Sequence, residues 1–311
     1  MKIIFKIDIR TGENFSMGYL FLAIALFAGA TKGYCGKMTS GYVNEYKDAM
    51  LANTIRMVFC ILIGFVITAI QSGLGAFRVD MTTLLISALS GITSSIFVVS
   101  WLVSVKKGSY MMMDVFLMLG MAVPLIGSNI AFGESIRPMQ WLGLGILMIA
   151  VLIMCSYNNS IKGKMTVSSV VLLIVCGISC GLTDFSQKLF VEHTDSISIA
   201  TFNFYTYIFS AAVLLCFYLI FSSKDKGGGR PTDLRHIFGY ILVMSACLFA
   251  NSYFQTKAAE FLSSAQLYPL SKGAGLILSS LMSAVLFKER LSLKAIIGIV
   301  LSFGALLIIN L

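Results

Sequence analysis

The chain has 311 residues, 58% of them hydrophobic and 12% charged, with a formal net charge of +9 and a mean hydropathy of +0.89. A water-soluble domain carries about 25% charged residues, so this composition excludes an ordinary soluble fold and specifies a multi-span membrane protein. Its Lys and Arg residues are scattered between apolar runs rather than gathered on one face, which reads as topology and headgroup signals and leaves no nucleic-acid partner to expect.

Ten apolar runs follow in chain order, over 17–38, 49–70, 81–104, 109–132, 138–155, 166–190, 197–221, 237–259, 263–287 and 291–309. Each is near the ~20 residues that cross a bilayer as a helix. The first run follows Lys2, Lys6 and Arg10 and ends in Ala28-Gly29-Ala30, as a cleaved leader can. Its late start and its counterpart in the second half mark it as a retained helix. Connections are short; the longest, around Ser222–His236, holds Lys224, Asp225, Lys226, three glycines, Arg230 and Pro231 and reads as a solvated loop. Residues 1–16 are thus an N-terminal tail, 17–155 a first set of five spans and 166–311 a second, all in one transmembrane domain. The seven cysteines lie in or beside apolar runs without a Cys-x-x-Cys, and His193 and His236 stand in different connections. Neither a metal centre nor a disulfide framework is expected, and no cofactor.

The second set repeats the first. Ser109 to Ile153 aligns without a gap on Ser264 to Ile308, an offset of 155 residues that superimposes Gly120 on Gly275, Ser128 on Ser283, Glu134 on Glu289 and Gly143 on Gly298. Five spans is an odd number, so the two copies cross the membrane in opposite directions. The expected fold is all-α: ten transmembrane helices as two inverted five-helix repeats, with a solute held where they meet.

Intramembrane charges are expensive, at least about 2.5–3.5 kcal/mol each on insertion scales, so each needs a reason. Helix direction sorts them. Lys32, Arg56 and Asp114 belong to one half of the bilayer; Asp184, Lys188 and Lys257 lie toward the other, with Lys272 nearer the middle. Asp114 can pair with Arg56 or Lys32, and Asp184 with Lys272 or Lys188. Lys32, Asp184 and Lys272 are candidate substrate ligands, whereas Arg56, Asp114 and Lys188 suit a gate, a coupling site or fixed structural pairs. Aligning Gly29-Ala30-Thr31-Lys32 with Gly181-Leu182-Thr183-Asp184 sets opposite charges at similar depths, which matches a zwitterion. Asn203, Tyr253, Tyr268 and Trp101 are the candidate uncharged lining, against the alternative that membrane tyrosines and tryptophans anchor at interfaces. Gly29-x-x-x-Gly33 and Gly177-x-x-x-Gly181 suit close helix crossings. Glu134 and Glu289 suit the positive end of the following helix, within reach of Arg137 and Arg290.

A glutamate closing one span in Phe132-Gly133-Glu134, then Gly143 in the next, repeated as Phe287-Lys288-Glu289 and Gly298, resembles the EamA-type repeat of the drug/metabolite transporter superfamily. The resemblance extends over the whole layout of ten spans. It implies a bundle in which spans 1–4 and 6–9 surround a central cavity, with spans 5 and 10 at the periphery. It also implies alternating access for an amino acid, a related metabolite or a drug-like amine in a bacterial plasma membrane. Pro269 fits the proline common in the ninth span of such proteins, although Asp114 takes its place in the first copy. Relatives keep both termini in the cytoplasm. The charge count, thirteen Lys and Arg in one set of loops against six on the side of the tails, places them outside.

Together these readings describe a secondary transporter of a small polar or zwitterionic solute, proton-coupled if Asp184 titrates, acting as a monomer or homodimer. No enzyme motif of the His-Glu-x-x-His, Gly-x-Ser-x-Gly or phosphate-loop kind is present. A non-transporting scaffold or sensor is the main alternative, ahead of an intramembrane enzyme.

Overall fold

The computed structural model describes residues 11–40, 42, 46–106, 117, 120–156, 167–194, 196–223, 234–286 and 293–310. Among these it contains ten α-helices: α1 Thr11–Ser40, α2 Tyr46–Ser72, α3 Met81–Lys106, α4 Ala122–Phe132, α5 Pro138–Ser156, α6 Val167–His193, α7 Ile199–Ser223, α8 Leu234–Ala259, α9 Ser264–Leu286 and α10 Leu293–Asn310. One short 3-10 turn, Leu74–Phe77, lies between α2 and α3.

Local chemistry sets the ends. Asp80 stands just before α3, and its carboxylate accepts from the Thr82 and Thr83 amides at 3.1 and 3.3 Å and from the Thr83 hydroxyl at 2.5 Å. These bonds satisfy donors that a helix start otherwise leaves open, and the Thr83 hydroxyl holds the exposed Asp80 carboxyl below its usual range. Ser198 does the same for α7 through the Thr201 amide, at 3.1 Å. Pro138 opens α5, where its missing N–H costs nothing. Gln140 reaches back to the Arg137 amide at 3.0 Å. Gly133 ends α4 in the left-handed region, at φ 68°, where its amide returns to the Asn129 carbonyl at 3.0 Å and the Glu134 amide to the Ser128 carbonyl at 3.4 Å.

Among the described residues six helices are long and apolar enough to cross a membrane, within Ser16–Gly36, Tyr46–Ser72, Met81–Trp101, Val171–His193, Ile199–Ser223 and Arg235–Ala259. Shorter apolar stretches occupy Ala122–Phe132, Pro138–Ala150 and Ile296–Ile309. Side chains such as Ile130, Ile70 and Phe27, 79%, 78% and 73% accessible, face outward all round the bundle. An outer surface of that kind suits hydrocarbon, not water.

Inside, α1 packs on α8, α3 on α6, α2 on α7 and α5 on α10, with further contacts of α3 on α7, α2 on α8, α4 on α6 and α1 on α9. Exchanging each helix for the one five places along returns these eight pairings, although the packing of α10 on α9 has no counterpart between α5 and α4 among the described residues. α5 and α10 pack chiefly on each other and on α9, away from the remaining helices. Small residues permit the tightest crossing. A methyl group on Gly181 or Gly120 would run into backbone, the carbonyl of Gly120 or of Gly177 respectively, so α6 passes Gly120 at backbone contact. The paired glycines of α6 thus serve helix packing. Hydroxyls add hydrogen bonds between helices, Thr93 to Thr183 at 2.9 Å and Ser95 to Ser210 at 2.8 Å.

Candidate functional site

Two charged side chains from different helices meet deep in the bundle, with a lysine and an arginine from two further helices in the surroundings. Asp184 of α6 and Lys272 of α9 form an ion pair of 2.8 Å, with side chains 7% and 21% accessible. Gln255 of α8 donates to the other Asp184 oxygen at 3.1 Å. Tyr268, one turn before Lys272, donates to the Asp184 backbone carbonyl at 2.7 Å. Lys272 also reaches the Cys180 sulfur, one turn before Asp184, at 3.2 Å. The contacts from Gln255 and Cys180, with the ion pair itself, offset part of the cost of keeping a carboxylate and an ammonium out of water.

Lys32 of α1 and Arg56 of α2 approach this pair from the other end of the bundle. Lys32 lies within electrostatic reach of both Arg56 and Lys272. Neither Lys32 nor Arg56 meets a carboxylate among the described residues, and the Arg56 Nε is buried without an acceptor. Lys32 is eight residues from the end of α1 and Lys272 eight from the start of α9, each about 12 Å at 1.5 Å per residue. The four groups therefore gather near mid-depth.

A second ionic group closes the end of the bundle where α4, α6 and α8 finish and α9 begins. Lys188, its side chain 5% accessible, bonds Glu134 at 3.0 Å, Glu192 at 2.8 Å and the Ala259 carbonyl at 3.3 Å. Glu134 also accepts from the Ser264 amide at 2.8 Å, while the Ser264 and Ser128 hydroxyls meet at 2.7 Å. The expectation that Glu134 serves the helix that follows it is thus corrected. The left-handed turn at Gly133, held by Asn129 Nδ2 on the Glu134 carbonyl at 2.7 Å, turns the carboxylate toward the open amides at the start of α9. Its ionic partner is Lys188 rather than Arg137.

The remaining candidates fall around these two groups. Tyr268 is fully buried and positions Asp184 through the backbone. Asn203 is fully buried between α7 and α8, where its oxygen accepts from Ser252 at 2.9 Å and its amide nitrogen has no partner among the described residues. Gln187 joins that network through Ser252 at 3.4 Å. Tyr253 sits in an aromatic cluster with Phe249 and Phe254. Trp101 packs on Leu173 and Cys176 of α6. Lys257 pairs with Glu260 at 2.5 Å near the end of α8. Asp114 and Glu289 lie outside the described residues. Gln255, an amide within a span that needs a partner, finds it in Asp184; Cys180 joins the site without having been singled out as a candidate, and Glu192 joins the Lys188 group. The spacing Asp184-x-x-Gln187-Lys188 puts three polar groups on one face of α6, the signal that exposes this polar seam.

An apolar exterior around a charged interior defines a multi-pass membrane protein. Residues 167–311 match the EamA-like transporter family, a family of membrane transporters in the drug/metabolite transporter superfamily. A solved structure titled "Crystal structure of protein" superposes with a TM-score of 0.74 over 94% of this chain and 96% of that one, at 13% identity, which establishes the shared fold alone. The search of curated proteins returned no match.

Proposed function

We propose that the protein is a secondary transporter that carries a small polar organic solute across a bacterial plasma membrane by alternating access. The observation that carries this reading is the buried Asp184–Lys272 ion pair between α6 and α9, with Lys32 of α1 within electrostatic reach of Lys272 and of Arg56 of α2. Charged groups in that position mark a solute path in membrane proteins. Two inverted halves supply the machinery. The 155-residue repeat and the exchange-invariant helix pairings support that arrangement.

The Lys188 group acts as the gate at its end of the bundle. It joins α4 and α9 through Glu134 and Ser264, and α6 and α8 through Lys188 and Ala259. Opening that end separates these bonds, and closing restores them. Asp184 and Lys272 hold the solute-facing ends of α6 and α9 in place between the two states.

Solute flux into proteoliposomes containing the purified protein tests the proposal. The wild type exchanges a solute that protein-free vesicles retain, and Asp184→Asn lowers the rate at least about tenfold. Unchanged flux in Asp184→Asn defeats the reading, and absence of flux for every small solute favours the scaffold alternative. Repeating the assay with and without an imposed pH gradient tests proton coupling.

A further inference from the structure

The charges at mid-depth do not balance. Among the described residues, Lys32, Arg56 and Lys272 face one carboxylate, Asp184, and that carboxylate is already held by Lys272 and Gln255. Counting Asp114 as a member would lower the surplus from two positive charges to one without abolishing it. Lys32 and Arg56 are half-buried, and the Arg56 Nε is buried with no hydrogen-bond partner among the described residues. Two neighbouring cations without a counter-ion are unfavourable in a low dielectric, and an arriving negative charge relieves them.

Solute classes respond differently to this arrangement. An amine meets repulsion from Lys32 and Arg56 and no unengaged carboxylate. A zwitterion finds a partner for its carboxylate only, since Asp184 is occupied by Lys272. An anion neutralises the surplus, and the planar guanidinium of Arg56, with its Nε lacking an acceptor, suits the two oxygens of a carboxylate or phosphate. We infer that the transported solute is a small organic anion, a carboxylate or phosphate ester, bound between Lys32 and Arg56. This rests on the transporter reading and narrows it to one substrate class.

The test is thermal unfolding of the purified protein in lipid-free detergent, so that any response belongs to dissolved solute and not to a phospholipid headgroup. Succinate, glycerol 3-phosphate, alanine and putrescine are compared at equal ionic strength. Succinate or glycerol 3-phosphate raises Tm by at least about 3 °C near saturation, whereas alanine and putrescine do not. Lys32→Gln and Arg56→Gln each remove the response, and Lys257→Gln, remote from the cluster, retains it. A Tm shift with alanine or putrescine as large as that with the anions overturns the inference. So does the absence of any anion response, or its persistence in Lys32→Gln with Arg56→Gln combined. Proteoliposome flux separates the two claims: anion binding without flux of any solute removes the transporter reading and leaves the anion site, while flux of amines alone does the reverse.

Discussion

Lys188 and Lys32 are both lysines inside an apolar bundle, yet their surroundings are opposite. Lys188 is tied by two carboxylates and a carbonyl within hydrogen-bond distance, and Glu134 in turn caps α9. Lys32 has Arg56 and Lys272 for electrostatic neighbours and no carboxylate among the described residues. A membrane protein keeps a buried charge either because its own groups neutralise it or because something that comes and goes does so. Charge balance, more than burial, separates the two cases here.

The comparison breaks first at Lys188. Lys188→Gln leaves Glu134 and Glu192 close together without their cation, and should cost about 2–3 kcal/mol. That is less than for a fully buried pair, because the Glu192 side chain is 38% accessible. A clear fall in Tm in detergent is expected, and an unchanged Tm removes the gate. Next comes Asp184→Asn, which leaves three neighbouring cations with no carboxylate and should cost about 1–3 kcal/mol. Adding Lys272→Gln recovers part of that loss if the pair is coupled, whereas simple additivity would show that it is not.

Lys32→Gln sharpens the contrast by its sign. Relief of repulsion from Arg56 and Lys272 should raise Tm slightly in the absence of solute, by the order of 0.5 kcal/mol, even as solute response is lost. A fall like that of Lys188→Gln would put Lys32 in the structural class. The smallest effect belongs to Asp80→Ala at the start of α3. Because the folded carboxyl titrates below its unfolded value, its contribution is present near neutral pH and disappears as pH falls through the folded value. Wild type and Asp80→Ala should therefore differ slightly in Tm at about pH 7 and coincide at about pH 2. A gap that persists in acid would assign the effect to lost packing.

Much of this molecule is legible from its sequence because membrane helices announce themselves by length and polarity. The run at 81–104 becomes α3 at Met81–Lys106, and 166–190 becomes α6 at Val167–His193. Helix direction leaves Lys272 and Lys188 as the candidate partners of Asp184, and the structure pairs it with Lys272. The partner of Glu134 does not follow from helix direction. Its carboxylate meets the amide of Ser264, 130 residues away, and nothing in local spacing says which helix start it will cap. The partner of Gln255 was hidden for a related reason: an amide inside a span announces that it needs a partner without saying which helix supplies it.

Tyr268 and Lys272, one turn apart on α9, grip Asp184 by its carbonyl and by its carboxylate. With the further contact of Lys272 to Cys180, one turn before Asp184, these attachments span a turn of each helix and resist sliding as well as twisting of α6 against α9. On the proposed transporter reading, the displacement that moves a solute then falls between this pair and the helices that carry Lys32 and Arg56.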